Sequence, residues 1–491
     1  MNVIFETERN NLQGVLVVGV YKNNVLTPQA VEIDNSSQAS ITKALETSSF
    51  QGKQGQSLII NGAPSEARQI MLLGLGENKD LSDLQVEKLG ASICKQTLKG
   101  KQNKVIIDLP CLCSEPGHCS ALLASGYQLK AWDFIEFKTE MKAADKPQVD
   151  TLAIVTAAAS KAKQEYEALE AILQGVCLTK QVTSLPGNML YPEVMVNYAK
   201  ELSSLGIQVS AMGEKELLEK GMNALYGVGM GSEKESFLCT MEWNGGESDQ
   251  APLCIVGKGI TFDTGGISIK GRSGLDEMKF DMGGAGVVLG LMHALASRKA
   301  KVNVVGVMAL AENMPSGSAQ RPGDIVKSYS GKTIEILDTD AEGRLVLADA
   351  LWYAQETYKP QVMVNLATLT GAILVSLGYE YAGMFSNSNE LAEKLTESGA
   401  QTDEKVWRMP LHPAYDKLID SKIADVKNLG NRWGGAITAA QFLQRFVNDV
   451  PWAHLDIAGA AWDPKGRPLS SPGSTAFGVR MLNKYIKDNY G

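Results

Sequence analysis

Short apolar runs alternate with longer amphipathic segments along most of the chain. In its first third, buried strands are predicted at five apolar runs: 15–21, 57–62, 70–76, 104–110 and 150–156. Helix-like stretches such as 80–100 lie between some of these runs. This alternation is typical of an open α/β sheet.

A long helical pattern separates the first part of the chain from the rest. Residues 157–183 contain no proline and no glycine before Gly175, and the proline- and glycine-containing stretch SLPGNMLYP (184–192) then ends the pattern. A chain of 491 residues is too long for one hydrophobic core. We therefore predict an N-terminal α/β domain (1–156), a connecting helix (157–183) and a C-terminal domain (184–491).

The second half repeats the alternation more strongly. Strands are predicted at 252–257, 302–310, 333–337, 362–367 and 453–459, and helices at 286–299 and 344–357. The longest apolar tract, 362–378, contains an Asn, two Thr and two Gly. We expect it to be a buried strand followed by a turn or short helix, and not a membrane span.

Composition places the chain among ordinary globular proteins, with 44% apolar and 21% charged residues. The net charge of −8 argues mildly against a broad electrostatic grip on nucleic acid. Seven mostly scattered cysteines fit a reducing compartment, and the start MNVIFETERNN lacks the features of a signal peptide. We therefore expect a cytoplasmic protein.

The chemically unusual residues fall in three segments of the second half. GKGITFDTGGISIK (257–270) leaves a predicted strand, MKFDMGG (278–284) leads into an apolar helix, and TDAEGRL (339–345) follows another predicted strand. Ligands of open α/β sheets gather beyond the carboxyl ends of strands, so these segments could converge. If TDAEGRL is extended, its three charged residues at alternate positions share one face.

Convergence would bring together four carboxylates, from Asp263, Asp281, Asp340 and Glu342. Two unit charges about 4 Å apart repel by roughly 4 kcal/mol at an effective dielectric constant of about 20, so the group needs cations. Two Lys and one Arg supply some positive charge, but each divalent metal ion compensates more negative charge than one of these side chains. Mg²⁺, Mn²⁺ and Zn²⁺ all accept carboxylate ligands. The alternative is a surface salt-bridge network, against which the dense glycines argue.

The histidines and cysteines give only weak signals for a zinc site. The chain has four His and no HExxH spacing, which argues against a His-ligated hydrolytic zinc site. CLCSEPGHC (111–119) offers three Cys and His118. Its cramped spacing favours a loop with incidental cysteines over a zinc site.

The three charged segments resemble the signature segments of the M17 leucyl aminopeptidases, the cytosol aminopeptidase family. So do NMPSGSAQRPGD (313–324), NLATLTGA (365–372), GGAITAAQFL (434–443) and WAHLDIAG (452–459), and the match covers 185–485 in order. The resemblance implies an α/β fold with a smaller, macro-like N-terminal domain and a larger catalytic domain on a mixed central sheet. It also implies metal-dependent removal of an N-terminal Leu or similar residue from peptides.

Carried over by position, the resemblance implies two divalent ions per subunit, Mn²⁺ or Zn²⁺ with Mg²⁺ as a third candidate. Their ligands would be Lys258, Asp263, Asp281, Asp340 and Glu342, with Asp263 and Glu342 bridging both ions. A ligating lysine must be neutral, which requires the metal to depress its pKa.

The resemblance also assigns two catalytic residues that are not ligands. Lys270 would stabilise the oxyanion of the tetrahedral intermediate. Arg344 would hold a bicarbonate ion that acts as general base toward a metal-bridging water. The family usually has Asn where this chain has Asp338, which adds a carboxylate near the implied metals.

The same resemblance implies a substrate pocket and an assembly. The pocket for the first side chain would be lined by small or apolar residues: Met278, Thr368, Gly371, Ala458 and Ala461. Substrates would be peptides with a free N-terminus, and the assembly a homohexamer built as a dimer of trimers.

Two other classes of function remain as alternatives. A nucleic-acid-binding regulator on this scaffold would need a basic stripe, whereas the chain has only short basic pieces such as LKGKQNK (98–104). An inactive scaffold protein is disfavoured because the seven matched positions carry residues able to act.

Overall fold

The computed structural model describes residues 1–142 and 145–491 and divides the chain into two units. One unit contains Met1–Leu173 and Gly466–Ser471, and the other contains Gln174–Lys465 and Pro472–Gly491. The division falls inside the helix Ala159–Ser184, which corresponds to the helix predicted at 157–183.

The N-terminal unit is built on a seven-stranded sheet in the order β1-β7-β6-β2-β5-β4, with β3 paired to β2. Strands β3 and β4 pair antiparallel with their neighbours, and the other pairs are parallel. All five strands predicted in this half are present. The elements are β1 Asn2–Glu6, β2 Val15–Tyr21, β3 Val25–Leu26, α1 Pro28–Ser36, α2 Ser40–Thr47, β4 Ser57–Asn61, β5 Gln69–Gly76, α3 Asp83–Thr97, β6 Lys104–Asp108, α4 Pro116–Ala131, β7 Thr151–Val155 and α5 Ala159–Ser184.

Local signals start the helices of this unit. The Thr27 side chain caps α1 and Pro28 occupies its first turn, where a missing N–H costs nothing. Ser82 and Gln85 form a reciprocal capping box at the start of α3.

The C-terminal unit is built on an eight-stranded sheet in the order β16-β15-β18-β14-β10-β11-β9-β8. Its elements are α6 Pro192–Glu201, β8 Gln208–Met212, α7 Glu214–Lys220, α8 Asn223–Gly229, β9 Phe237–Asn244, β10 Leu253–Asp263, α9 Gly283–Ser297, β11 Asn303–Asn313, β12 Ile325–Lys327, β13 Thr333–Glu335, α10 Gly343–Tyr358, β14 Val362–Ala367, α11 Gly371–Leu377, β15 Ala382–Ser386, α12 Asn389–Thr402, β16 Val406–Arg408, α13 Pro413–Asp416, β17 Val426–Lys427, α14 Gly435–Gln444, β18 Trp452–Asp456, β19 Trp462–Asp463, β20 Gly473–Ser474 and α15 Val479–Tyr490.

The four central strands of this sheet, β18, β14, β10 and β11, run parallel, whereas β15 and β9 are antiparallel to their inner neighbours. The predicted α/β class and the mixed central sheet are thus confirmed. Because the four strands run the same way, their last residues lie at one edge: Asp456, Ala367, Asp263 and Asn313. Parallel sheets bind ligands at such an edge.

One predicted strand does not join the central sheet. The strand expected at 333–337 is the short β13, which pairs with β12 and β17 in a separate three-stranded sheet. TDAEGRL therefore reaches the carboxyl edge of the central sheet from a strand that lies outside that sheet. The expectation that charged segments follow strands of the central sheet is wrong for this segment.

Apolar stretches of membrane-span length are buried in this unit. The helical stretch Leu275–Ser297 is long and apolar enough to cross a membrane, but 83% of its apolar window is buried inside the protein, as in a core helix. The predicted strand and short helix in the tract 362–378 are β14 and α11.

Two glycines allow α9 to lie directly on the central sheet. A Cβ at Gly284 would lie 2.2 Å from the carbonyl oxygen of Leu366 in β14, and a Cβ at Gly257 in β10 would lie 2.6 Å from the Gly284 carbonyl oxygen. These are contacts between backbones, which a rotamer change cannot relieve.

We predict that Gly284→Ala lowers the free energy of unfolding by about 1–3 kcal/mol, because overpacking forces the helix off the sheet. Urea unfolding followed by tryptophan fluorescence measures the loss. Gly317→Ala is the matched control, since among the described residues no atom beyond Gly317 and its two chain neighbours lies within 4 Å of its Cβ position. Equal stability of the two variants would contradict the close-packing argument.

Candidate metal centre

Four carboxylates from three segments meet at the carboxyl edge of the central sheet. Asp263 ends β10, and Asp340 and Glu342 precede α10; one oxygen from each lies within 4.8 Å of the others. Lys258 joins Asp281 to this group, because its Nζ lies 2.9 Å from Asp281 Oδ1 and 2.7 Å from Glu342 Oε1. The structure thus brings together all five residues that the resemblance implies as ligands.

Two lysines occupy the cluster from different sides. Lys258 is buried within β10, and its amine also donates to the carbonyl oxygen of Thr368 at 2.9 Å. Lys270 is partly exposed; its Nζ lies 2.7 Å from Asp263 Oδ2 and also contacts Asp340. Each amine therefore serves two of the four carboxylates.

Burial and the charges of neighbouring groups shift the pKa values of Lys258, Asp281, Asp340 and Glu342. Burial opposes the charge of the Lys258 ammonium, but the carboxylates, Asp281 first among them, outweigh burial and raise its pKa. Burial raises the pKa of Asp281 well above its usual value and also raises that of Glu342. Burial, with repulsion from Asp263 and Glu342, raises the pKa of Asp340 to about 7. Two ammonium groups do not compensate four carboxylates, so the cluster has an excess of acidic groups.

The donor set fits divalent cations. Asp281 Oδ2 and Glu342 Oε2 are buried and accept no hydrogen bond from the part of the chain that the structure describes. An unpaired buried polar atom costs free energy, which metal ligation would offset. Oxygen ligands in this number suit Mg²⁺, Mn²⁺ or Zn²⁺.

The prediction that TDAEGRL is extended is wrong at its end. Glu342 has helical backbone angles (φ −78°, ψ −37°), and α10 begins at Gly343, so Arg344 lies in the first helical turn. Glycine is needed between them because a Cβ at Gly343 would lie 2.7–2.8 Å from the last side-chain atoms of Lys258. A turn into a helix, rather than an extended face, therefore delivers Glu342 to the cluster.

Arg344 is buried and has unused hydrogen-bond donors. Burial lowers its pKa to about 10, an effect that the charges of Glu342, Asp456 and Asp338 partly oppose. Its Nε and Nη1 have no acceptor among the described residues. A buried guanidinium with two free donors fits a small anion such as bicarbonate.

Asp338 caps a turn and does not belong to the carboxylate group. Its Oδ1 accepts the Asp340 N–H at 2.9 Å, and its carbonyl oxygen accepts a hydrogen bond from Asn428 Nδ2 at 2.6 Å. An Asn at this position has the same oxygen and would make the same turn.

Sequence reasoning missed the polar residues that orient the carboxylates. Asn313, at the end of β11, donates through Nδ2 to Asp263 Oδ1 at 2.7 Å and to the Thr339 carbonyl oxygen at 3.1 Å. The Thr368 hydroxyl donates to Asp281 Oδ1 at 2.7 Å. The position of Asn313 at the end of a central strand was the available signal.

Some of the residues expected to line a substrate pocket lie together. A Cβ on Gly283 would lie 3.5 Å from Ala461 Cβ and 3.6 Å from Thr368 Cγ2, so these two side chains flank the start of α9. Gly371 begins α11 and faces open space among the described residues. Ala458 packs against the apolar cluster around Ile373. Met278 lies in the 3₁₀ helix Leu275–Met282, which also contains Asp281.

The segment CLCSEPGHC forms a loop and the first turn of α4. His118 faces two carboxylates, with Nε2 3.1 Å from Asp83 and Nδ1 3.6 Å from Glu165. The Cys111 thiol donates to the Cys113 carbonyl oxygen at 2.7 Å. These contacts fit a loop with incidental cysteines.

Comparison with known proteins gives full-length matches to one family. Residues 177–483 match the catalytic domain of the cytosol aminopeptidase family (Peptidase M17), and residues 17–141 match its N-terminal domain. A probable cytosol aminopeptidase of Nitrobacter winogradskyi is 48% identical over 93% of this chain and 91% of its own length. One of Rhodopseudomonas palustris (strain BisA53) is 45% identical over 100% and 99%.

Two solved structures are similar over nearly the whole chain. A mutant of tomato leucine aminopeptidase superposes with a TM-score of 0.89 at 30% identity, covering 99% of this chain and 97% of its own. The bottromycin maturation enzyme BotP in complex with Mn superposes with a TM-score of 0.84 at 27% identity, covering 97% and 99%.

We predict that Asn313→Ala weakens binding of a divalent cation about 10–100-fold, because residues that orient ligands typically contribute this much. Titration calorimetry with Mn²⁺ and with Zn²⁺ measures the affinity. Asn223→Ala is the control, since that amide bonds backbone carbonyls of Gly221 and Lys327 and none of the carboxylates. An unchanged affinity in Asn313→Ala would show that Asp263 needs no orienting donor.

Proposed function

The chain belongs to the cytosol aminopeptidase family and is an aminopeptidase, and we propose that it hydrolyses N-terminal Leu or similar residues at a centre of two divalent cations. The observation that carries this proposal is the meeting of Asp263, Asp340 and Glu342 within 4.8 Å, beside buried carboxylate oxygens that have no hydrogen-bond partner among the described residues. We also propose a cytoplasmic location, as the names of the relatives suggest.

Five residues would hold the two cations, Mn²⁺ or Zn²⁺ with Mg²⁺ as a third candidate. Asp263 and Glu342 would bridge both. Lys258 and Asp281 would complete one ligand shell, and the side chain and carbonyl oxygen of Asp340 the other. The Lys258 ammonium bonds Asp281 and Glu342. A ligating lysine must be neutral, so binding of a cation to Lys258 would release its proton to solvent.

The metals, once bound, would supply an activated water and polarise the scissile carbonyl. The neighbouring carboxylates outweigh burial and raise the pKa of Lys270. Its partly exposed ammonium can therefore donate a hydrogen bond to the oxyanion that forms during hydrolysis. Arg344 would hold, through Nε and Nη1, a bicarbonate ion that supplies the general base at that position.

The substrate would be a peptide with a free N-terminus. The acidic cluster attracts an amine, and acetylation removes both the charge and the lone pair. Small and apolar residues would line the pocket for the first side chain of the substrate and leave room for Leu or Met. These pocket residues are Met278, Thr368, Gly371, Ala458 and Ala461.

We further propose a homohexamer, a dimer of trimers. Large apolar side chains are exposed on the single chain, including Val375 at 90% and Trp433 at 73%. An assembly would remove such surface from water.

We predict that chelation abolishes release of leucine from a leucyl anilide and that Mn²⁺, Zn²⁺ or Mg²⁺, added separately, restores it to different extents. The N-acetylated substrate should stay intact with every metal. Folded protein that stays inactive with all three metals would overturn the two-metal proposal.

Light scattering during gel filtration should give the mass of six chains, and another mass would contradict the hexamer.

We predict that Lys270→Met lowers kcat about 10²–10³-fold with little change in KM, because it removes a donor to the oxyanion. Steady-state kinetics on a leucyl anilide, with bound metal quantified in the same samples, separates loss of catalysis from loss of metal. Lys279→Met is the matched control, since that ammonium lies over the Trp462 ring and outside the carboxylate cluster. A kcat within a factor of a few of the wild-type value would remove Lys270 from the mechanism.

A further inference from the structure

One buried carboxylate joins the two loops that carry most of the proposed pocket wall. Asp456, the last residue of β18, is completely buried. Its Oδ1 accepts the Leu369 N–H at 3.1 Å and the Ala458 N–H at 3.3 Å, and its Oδ2 accepts the Thr370 hydroxyl at 2.7 Å. The first loop follows β14 and the second follows β18, so a single side chain bonds donors from both.

The loop after β14 is held at two successive points. Its first residue, Thr368, is attached to the carboxylate cluster by two hydrogen bonds. The Thr368 hydroxyl donates to Asp281, and the Thr368 carbonyl oxygen accepts from the Lys258 amine. Its next two residues, Leu369 and Thr370, are attached to Asp456. The Thr370 oxygen also accepts the Ile373 N–H at 3.1 Å and so caps α11, whose first residue is Gly371.

The loop after β18 is a tight turn that starts at Asp456. The N–H groups of Ala460 and Ala461 both donate to the Ile457 carbonyl oxygen at 2.9 Å. A Cβ at Gly459 would lie 2.2 Å from the Gly378 carbonyl oxygen, so this turn packs against the end of α11. The positions of Ala458 and Ala461 therefore depend on where the turn begins.

We propose that Asp456 is a positioning residue that sets the width of the pocket for the first side chain by holding these two loops at a constant separation. The inference rests on the proposed function, because it takes the pocket residues from there. Among the described residues, the hydrogen bonds of the Asp456 side chain go to the two loops and not to the five proposed metal ligands, so its main effect falls on discrimination between substrate side chains. Its charge does act on Arg344, which an Asp456 variant would also perturb.

The test compares kcat/KM for leucyl and alanyl anilides, whose side chains fill the pocket to different extents. Asp456→Ala should lower the Leu/Ala ratio about tenfold or more, since pocket contacts of this size discriminate by about 10–200-fold. Thr370→Val keeps the charge of Asp456 and removes its hydroxyl donor. Thr370→Val should also lower the Leu/Ala ratio, but by less than Asp456→Ala does. Asp456→Asn keeps Oδ1 and should therefore retain most of the wild-type ratio.

Asp349→Ala is the matched control for a structural role. Asp349 is also a completely buried carboxylate of this unit that accepts backbone N–H groups, from Leu225 and Tyr329, but these lie outside the pocket loops. It should lower stability and leave the Leu/Ala ratio unchanged.

Two outcomes would overturn the inference in distinguishable ways. Wild-type protein that fails to hydrolyse the leucyl anilide with any metal overturns the proposed function and the inference with it. Active wild-type protein whose Leu/Ala ratio stays within twofold in Thr370→Val and in the folded Asp456 variants overturns the inference alone.

Discussion

Compensation of buried negative charge is the constraint on which the rest of the catalytic unit depends. Four carboxylates lie close together, and burial raises the pKa of Asp281, Asp340 and Glu342. Among the described residues, the amines of Lys258 and Lys270 form ion pairs with these carboxylates. Isolated buried carboxylates would destabilise the fold, so the cluster depends on the positive charges beside it. The proposed metals are the remaining part of this compensation.

Close approach of backbones makes that compensation possible. Lys258 reaches the carboxylates because Gly343 leaves room for its amine at the start of α10, and α9 lies against β14 because Gly284 has no side chain. The absence of a side chain at each of these glycines therefore makes room for one particular neighbour. In a packed interior such contacts tolerate little change in volume.

Chemistry and substrate selection share one loop in this structure. Thr368 orients Asp281 of the carboxylate cluster, and the two residues after it are held by Asp456. A displacement of this loop would thus affect a proposed metal ligand and the proposed pocket together. Asp349 makes the same kind of hydrogen bonds with the backbone N–H groups of Leu225 and Tyr329, which lie outside this loop.

The sequence alone determined the buried parallel strands and the residue types of the site. Strand β14 was predicted with its observed limits because a strand covered on both faces is a continuous apolar run. Asp263, Asp281, Asp340 and Glu342 stand in distinctive charged segments that contain glycine. The helical start at Gly343 and the orienting roles of Asn313 and Asp456 were not predicted. Asn313 bonds a carboxylate 50 residues away, and Asp456 bonds residues 86 and 87 positions away. Hydrophobic periodicity and local motifs describe neighbours along the chain, whereas these partners meet only when parallel strands align their ends, so the tertiary structure alone decided them.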